Sequence, residues 1–422
     1  MNTLSGLTAI LLTSITLGGA ITPSDARANV LETAKITAAD ATAGDGFGYS
    51  AAVGAGTLAV GAKDDDEGRG AVYLHDASSL AARAKLVAAD GAVNDHFGSA
   101  LAIGGATVVV GAFGDDDQGV SSGSAYLFDA ATGAPGAKLM ADDGAAGDFF
   151  GWSVAASGDT VVVGAFGDDD AASGSGSAYL FDAVTGNQTA KLTASDAAIT
   201  DYFGWSVALS GNTAAIGAVY DDDKGTDSGS VYLFDTTTGL STLKLTADDG
   251  EAGDQFGYAV AMSGDVVAVG AYGDDDQGAD SGAVYLFDAI SGAQLAKYSA
   301  PVGDAAEHFG ASIALNGNHL LVGAYGNADN GVDSGGAYLF DIGSGSLIDQ
   351  LVASDGATGD ATGYGVATDG SRAFVGSYAN DPDGLVDAGA LYAFGADVDV
   401  PSPAPLLLLS MSLGLIGLMR RR

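Results

Sequence analysis

The chain has 422 residues, a formal net charge of −39 and no cysteine. The missing cysteines exclude disulfides, thiolate metal sites and cysteine nucleophiles. The negative charge argues against nucleic acid as a partner, because nucleic-acid binding needs basic surface, and it favours solubility and the binding of cations.

Residues 1–28 are predicted to be a secretory signal peptide. The run 7–21 is mostly apolar and too short for a comfortable membrane span, and Ala26-Arg27-Ala28 provides a small-x-small cleavage site. No Lys or Arg precedes the apolar run, so the amino terminus alone supplies the positive charge. We therefore expect a secreted protein whose mature chain begins near residue 29.

The segment 150–196 is repeated with little change along the chain. Each copy opens with a Phe-Gly pair or a degenerate form of it. A Gly-Ala pair or a close variant then follows at a fixed distance. The opening positions are Phe47, Phe97, Phe150, Phe203, Phe256, Phe309 and Thr362. The glycines of the second pair are Gly61, Gly111, Gly164, Gly217, Gly270, Gly323 and Gly376. A period of about fifty residues is typical of a propeller or another array of repeats.

Each copy contains four predicted strands. In the copy that opens at Phe150, residues 150–156 alternate large and small side chains, and residues 160–166 are apolar at nearly every position. Residues 176–182 form the third strand, the Asp-x-x-Thr-Gly after it is typical of a hairpin turn, and 190–194 form a weaker fourth strand. Four antiparallel strands per copy predict a propeller blade.

The copies predict an all-β, seven-bladed β-propeller of four-stranded blades over residues 29–399. The last copy ends at its third strand, near Phe394, and an orphan strand at 34–38 precedes the first copy. We expect this N-terminal strand to complete the last blade and close the ring, which removes the open sheet edges. The alternative is an open solenoid of repeats.

Residues 400–422 are predicted to be a C-terminal sorting or anchoring segment. The motif VPSPAP (400–405) precedes an apolar run at 406–419 and three terminal arginines. This order resembles the PEP-CTERM and VPxxA-type sorting tails of Gram-negative bacteria, with Ser402 in place of the usual glutamate. The resemblance implies processing by an exosortase-like enzyme and a cell-surface or secreted location, with membrane contact only through this segment. The alternative is a plain short membrane anchor.

The repeat itself resembles the FG-GAP repeat of integrin α-subunit propellers and their bacterial relatives. The resemblance rests on Phe-Gly followed at a fixed distance by Gly-Ala, and it covers residues 34–395. By analogy it implies a propeller fold and extracellular recognition or adhesion. The chain departs from the family because the proline of Gly-Ala-Pro is absent. A short turn such as 157–160 also stands where some integrin blades carry a calcium loop, so the integrin ligands are not carried over.

An acidic loop follows each Gly-Ala pair, and a further acid precedes each Phe-Gly pair. In an up-and-down blade, both sets of acids lie on the same face of the disc. Acidic or amide residues stand at positions one, three and seven of four of these loops. The four sets are Asp221, Asp223 and Asp227; Asp274, Asp276 and Asp280; Asn327, Asp329 and Asp333; and Asp381, Asp383 and Asp387. Calcium takes six to eight hard oxygens, and alternate residues of a tight loop can direct theirs to one point. The loops are therefore candidate calcium sites, with a solvated acidic rim as the alternative, and no other cofactor is predicted.

No residue stands apart from the repeats as a base, nucleophile or open metal position, so no catalytic residue is predicted and we do not expect an enzyme. We expect a secreted or surface-anchored binding or adhesion protein of the bacterial envelope or extracellular matrix, whose partner is an extracellular protein or polysaccharide. The alternatives are a hydrolase or oxidoreductase that uses the axial channel, which an acid or histidine pair at the channel mouth would favour, and a purely structural matrix protein. Trp152 and Trp205 are interpreted as inter-blade packing rather than as a sugar-stacking platform.

Overall fold

The computed structural model describes residues 30–396, which form seven four-stranded antiparallel sheets around one axis. The innermost strand of each sheet contacts the innermost strand of the next, and the last of them contacts the first. The described part of the chain is therefore a closed seven-bladed propeller, as predicted. The predicted signal peptide (1–28) and C-terminal segment (400–422) lie outside the described residues.

The strands follow the repeats in chain order, from the inner to the outer edge of each blade. Strand β1 (Val30–Ile36) precedes the first repeat. Blade one contains β2 (Phe47–Gly54), β3 (Thr57–Ala62), β4 (Ala71–Asp76) and β5 (Ala82–Leu86). Blade two contains β6 (Ala100–Gly104), β7 (Thr107–Ala112), β8 (Ser124–Asp129) and β9 (Pro135–Leu139). Blade three contains β10 (Ser153–Ser157), β11 (Thr160–Ala165), β12 (Ser177–Asp182) and β13 (Gln188–Leu192).

The remaining blades repeat this order. Blade four contains β14 (Phe203–Ser210), β15 (Thr213–Ala218), β16 (Ser230–Asp235) and β17 (Leu240–Leu245). Blade five contains β18 (Phe256–Ser263), β19 (Val266–Ala271), β20 (Ala283–Asp288) and β21 (Gln294–Tyr298). Blade six contains β22 (Ser312–Asn316), β23 (His319–Ala324), β24 (Gly336–Asp341) and β25 (Ser346–Leu351). Blade seven contains β26 (Thr362–Thr368), β27 (Arg372–Ser377) and β28 (Ala390–Ala396).

Two short helical turns interrupt the loops between second and third strands. One is α1 (Asp65–Gly68) in blade one, and the other is a 3-10 turn (Pro382–Gly384) in blade seven. No helix between residues 30 and 396 is long and apolar enough to cross a bilayer.

The N-terminal strand closes the ring. Strand β1 pairs antiparallel with β28, from Val30 opposite Ala396 to Ile36 opposite Leu391, so the sheet order of blade seven is β1-β28-β27-β26. The two ends of the described chain therefore hold each other in one sheet. The prediction of closure by the orphan strand is confirmed.

The core lies between blades and explains the two repeated motifs. Phe150, which opens the third repeat, is buried and packs edge-on against Tyr179 and Phe181 of β12. The glycines of the two motifs meet across the blade boundary, because a Cβ on Gly164 would lie 2.1 Å from the carbonyl oxygen of Gly204 in the next blade. Neighbouring blades approach this closely only when that position carries no side chain.

Candidate functional site

The two sets of acidic loops lie side by side on one face of the disc. The loop between β15 and β16 is joined by backbone hydrogen bonds to the connection that enters blade five. Gln255 N donates to Asp227 O at 3.1 Å, and Phe256 N donates to Ser228 O at 2.9 Å. We call this surface the acidic face.

A lysine from the fourth strand lies among the acidic side chains of blade four. Lys244 Nζ is 2.8 Å from Asp196, 3.0 Å from Asp221 and 2.5 Å from Asp223. The hydroxyl oxygen of Tyr232 lies 2.6 Å from Asp196 and 2.9 Å from Asp221, and its one proton is shared between the two carboxylates. We call these five residues the lysine cluster of blade four.

Other blades repeat the lysine cluster. Three carboxylates surround the lysine in blades two, three and five, and two surround it in blade one. The lysines are Lys85, Lys138, Lys191 and Lys297. Burial alone would lower the pKa of Lys244, but hydrogen bonds to its three carboxylates raise that pKa above its ordinary value. The lysine is therefore a permanent counter-ion within the acidic face.

Two lysine clusters have carboxylates close enough to hold a metal ion. The carboxylate oxygens of Asp196, Asp221 and Asp223 lie within 4.8 Å of one another, and those of Asp90, Asp115 and Asp117 do the same. Such oxygens are suitable ligands for a hard cation. Because the ammonium of Lys244 already contacts all three acids of its cluster, a metal ion there competes with the lysine.

The predicted ligands of blade four divide into two groups. Asp221 and Asp223 meet at Lys244, but Asp227 has a left-handed backbone, with φ of 57°, and its carbonyl accepts the bond from Gln255. Aspartate and asparagine tolerate this conformation better than most side chains. Position seven therefore has a backbone role in joining two blades.

Blade five has the same division. Asp274 and Asp276 contact Lys297 at 2.9 and 2.5 Å. Asp280 is exposed, has φ of 52°, and accepts the backbone N–H of His308 at 3.2 Å. The structure again brings positions one and three together and leaves position seven at the blade boundary.

Blade six has lost both the lysine and part of the negative charge. Gln350 stands at the lysine position and donates to Asp329 at 2.6 Å. Asn327 replaces the buried aspartate and donates to Glu307 at 3.0 Å. Asp333 keeps the left-handed backbone, with φ of 53°. Blade six therefore lacks both the lysine and the buried aspartate of the other clusters.

In blade seven the structure shifts the predicted set by one residue. Asn380 occupies the buried first position and accepts a hydrogen bond from Lys35 of the closing strand at 2.8 Å. Asp381 and Asp383 are exposed, and the backbone N–H of Asp387 donates to Asp381 at 2.8 Å. Asn380 follows Gly376 at the same distance at which Asp221 follows Gly217, so the predicted set began one residue too late, and the extra residue of this loop lies after Asn380.

The acids that precede each Phe-Gly are buried turn residues. Asp254 is 5% exposed and accepts the backbone N–H of Glu251 at 2.8 Å. Burial, together with the charge of nearby Asp274, raises the pKa of Asp254 to about 6. Burial likewise raises the pKa of Asp148, the equivalent residue of blade three, to about 6. These carboxylates hold the connection between blades in place.

An aromatic cup opens at the axis. Five blades carry a large aromatic residue two positions after the Phe-Gly phenylalanine, and the other two carry Ser99 and Ala311. The five are Tyr49, Trp152, Trp205, Tyr258 and Tyr364, and we call them the aromatic cup. They are partly exposed and line a cavity of about 240 Å³. They begin the inner strands at the ends that adjoin the acidic loops, so the cup lies at the centre of the acidic face.

The rings of the cup contact one another around the axis. Trp152 and Trp205 have ring centroids 5.0 Å apart, and Trp205 and Tyr258 are 5.6 Å apart. The hydroxyls of Tyr49 and Tyr364 are 3.1 Å apart. The two tryptophans thus pack between blades and also face the cavity, which their sequence position alone does not reveal.

The axial channel beyond the cup is aliphatic. A second cavity of about 240 Å³ is lined by the inner strands of all seven blades. Its side chains are alanines, valines, leucines and Met262, with Thr368 as the one polar group. This lining offers no acid, base or metal ligand.

A charged group interrupts the aromatic surface in blade one. Lys63 stands where other blades carry Phe113 or Tyr272, and its Nζ lies 2.7 Å from Asp64. His96 Nδ1 is 3.2 Å from Asp64 Oδ1. Burial would raise the pKa of Asp64, but His96 and Lys63 outweigh it and lower that pKa. The sequence analysis missed this acid–histidine pair, although the replacement of an aromatic residue by Lys63 was a visible signal.

Comparison with known families agrees with the geometry. Seven stretches match the FG-GAP repeat, namely 30–75, 81–128, 136–181, 187–234, 241–287, 293–340 and 346–394. A search of curated proteins found no match. Each matched stretch runs from the outer strand of one blade to the third strand of the next, and together the stretches cover well over half of the chain. The chain belongs to the FG-GAP repeat family.

Proposed function

We propose that this protein is a binding or adhesion protein that contacts an extracellular protein or polysaccharide through its acidic face. The observation that supports this proposal is the aromatic cup. The fold buries the aromatic residues of the Phe-Gly and Tyr-Leu-Phe motifs, yet the five rings of the cup and the ring of Tyr325 remain partly exposed around one cavity. Clustered, partly exposed aromatic side chains are typical of interaction sites.

The proposed location is the surface of a Gram-negative bacterium or its extracellular matrix. The proposal relies on the two terminal segments, 1–28 and 400–422, whose sequences resemble a secretory signal and a sorting tail. An exosortase-like enzyme would process the C-terminal segment, which would provide the one membrane contact. The net charge of −39 argues against nucleic acid and other polyanions as partners.

We propose calcium as the ion that the lysine clusters would take when they bind a metal. Their ligands are hard carboxylate oxygens, which calcium prefers. Because the ion competes with a lysine, we expect affinity no tighter than the 10⁻⁴–10⁻³ M that is roughly typical of extracellular calcium modules. Adhesion that depends on calcium would then require millimolar calcium outside the cell.

The test of the binding proposal uses the mature protein immobilised on a surface. It is exposed to the polysaccharide and the protein fractions of a Gram-negative biofilm matrix, with and without calcium. We expect saturable binding that Trp205→Ala weakens and that Val184→Ser, an exposed change in the β12–β13 turn on the opposite face, leaves intact. Equal melting temperatures would show that both variants fold. Binding to neither fraction would instead favour a purely structural role.

The acid–histidine pair supports one alternative, a hydrolase. Asp64 and His96 lie at the edge of the aromatic surface, where a histidine oriented by a carboxylate can act as a general base. The aliphatic channel offers no further catalytic group. Turnover of polysaccharide or phosphoester substrates that His96→Gln abolishes without loss of binding would support the hydrolase. Binding without turnover would support the adhesin.

A further inference from the structure

We infer that the aromatic cup binds the terminal sugar of an uncharged saccharide chain. The inference rests on the binding function proposed above and specifies its ligand class. Two properties of the cup carry the inference, namely the chemistry of its lining and its position at the closed centre of the ring.

The lining has the composition that a sugar ring needs. A sugar ring has an apolar C–H face, which packs on aromatic rings, and an edge of hydroxyls, which need hydrogen-bond partners. Trp152 and Trp205 provide ring faces and indole N–H donors, and Tyr49 and Tyr364 provide hydroxyls that donate or accept. A mostly apolar site with a few polar groups is typical of a small-molecule pocket.

The size and position of the cup restrict how a saccharide enters. Its volume of about 240 Å³ is below the roughly 300–1,000 Å³ of pockets for drug-sized ligands, so it accommodates one sugar ring and not an extended segment. The inner strands of all seven blades surround the axis, so a chain cannot pass sideways through the cup. The ligand therefore enters end-on, by its terminal unit.

Charge selects against acidic sugars. No lysine, arginine or acid is among the residues that line the cup, and acidic loops surround its mouth. Lys63 Nζ lies 4.7 Å from the ring centroid of Tyr49, but it is already paired with Asp64 at 2.7 Å. A uronic acid or a sulfated sugar would meet negative potential, and it would have to compete with Asp64 for the one nearby ammonium. The preferred ligand is therefore an uncharged hexose or N-acetylhexosamine.

The chain contains its own probe for this site. Its two tryptophans, Trp152 and Trp205, both line the cup, so intrinsic tryptophan fluorescence reports on cup occupancy alone. The mature protein is titrated with glucose, galactose, mannose and N-acetylglucosamine, with their short oligosaccharides, and with glucuronate as the acidic control. We expect a saturable emission change with at least one neutral sugar and no saturable change with glucuronate.

A variant whose side chain fills the cavity of the cup tests the inference directly. Ala311→Tyr places in blade six the type of side chain that Tyr258 and Tyr364 contribute in other blades, so the fold tolerates it while the cavity shrinks. We expect its affinity for the neutral sugar to fall by about tenfold or more, whereas Val184→Ser on the opposite face binds as the wild type does. Both variants keep two tryptophans, and melting temperatures confirm that they fold.

Failure of this inference can be distinguished from failure of the binding proposal. If the protein binds matrix but no neutral sugar changes its fluorescence or competes, the saccharide inference is wrong and the partner is a protein. If Ala311→Tyr binds sugar as tightly as the wild type, the sugar does not occupy the cup and the saccharide inference is again wrong. If matrix binding is absent while a neutral sugar saturates the cup, the saccharide site stands and the adhesion role is wrong.

Discussion

At the scale of single residues, the lysine cluster of blade four makes a direct prediction. Lys244→Met removes the ammonium from among Asp196, Asp221 and Asp223 and leaves carboxylates that repel each other. We expect the free energy of unfolding to fall by about 1.5–3 kcal/mol, since charged hydrogen bonds are lost at a buried acid. Urea denaturation measures this change.

The same variant tests whether the lysine takes the place of a metal ion. With the ammonium gone, millimolar calcium should raise the unfolding free energy of Lys244→Met more than that of the wild type, because a ligand of the folded state stabilises it. Lys224→Met, at an exposed lysine of the loop that carries Asp221 and Asp223, is the matched control. An equal response of all three proteins to calcium would contradict a counter-ion role for Lys244.

The buried turn acids predict a pH dependence of unusual sign. Burial raises the pKa of Asp148 from its ordinary 3.8 to about 6, so the folded protein binds this proton more tightly than the unfolded chain does. The resulting stabilisation is fully present below pH of about 4 and is lost as the pH rises through about 6. Asp148→Asn should remove this part of the curve when unfolding free energies are measured from pH 4 to 7.

An exposed acid of the same blade provides the opposite control. Hydrogen bonds from Thr185 lower the pKa of Asp182, so its stabilisation is present above the ordinary pKa and is lost as the pH falls. Asp182→Asn should therefore affect stability at neutral pH more than at low pH. If Asp148→Asn leaves the curve between pH 4 and 6 unchanged, the burial of its carboxylate does not govern the titration.

The residues of the lysine cluster show what the sequence could not reveal. Asp221 and Asp223 are neighbours in one loop, and their convergence follows from that spacing. Lys244 and Asp196 come from a different strand and a different inter-blade connection, so only the folded ring brings them to the same acids. The pattern of alternate acids was consistent with a cation, but the sequence did not indicate that the cation is a side chain of the chain itself.

At the scale of strands and loops, we predict that the glycine contact between blades cannot accept a side chain. Gly164→Ala would place a Cβ 2.1 Å from the carbonyl oxygen of Gly204, and backbone on both sides cannot move away without opening the blade interface. We expect a loss of about 1–3 kcal/mol, as for other overpacked core sites. Gly91→Ala, where the nearest atoms are 3.4 Å away, is the control in an open loop. Equal unfolding free energies for the two variants would contradict this account of the motif.

The strands themselves were predictable because each repeat supplies the same pattern seven times. The predicted strand at 160–166 is observed as β11 and the one at 176–182 as β12, each within one residue at either end. The fourth strand, predicted at 190–194, is observed at Gln188–Leu192 because Gln188 pairs with Phe181 beyond a bulge at Thr189. Loop register was less predictable, since Asn380 and not Asp381 takes the buried first position in blade seven, and the loop then carries one extra residue before Gly389.

At the scale of the whole molecule, the few positive charges of the chain are concentrated inside its acidic face. Six of the eight lysines are fourth-strand residues with an acidic contact, which leaves few positive charges for the outer surface. Each lysine neutralises acids of its own blade or of the connection that enters that blade. The surface that remains is strongly negative around an uncharged aromatic centre, and this contrast favours a neutral ligand at the axis over an anionic one.

Closure of the ring by β1 leads to a prediction about truncation of the N-terminal strand. Removal of residues 30–36 takes away β1, which pairs with β28 and carries Lys35, the cation that contacts Asp355. The loss of one strand's burial and hydrogen bonds should lower the unfolding free energy on the order of 5 kcal/mol. The exposed edge of β28 should also promote association, which light scattering detects. Adding a synthetic peptide of residues 29–38 should restore monomers and stability, whereas removal of residues 400–422, which supply none of the blade strands, should change neither. A truncated chain that melts like the wild type without the peptide would show that six complete blades and a three-stranded seventh hold the ring without β1.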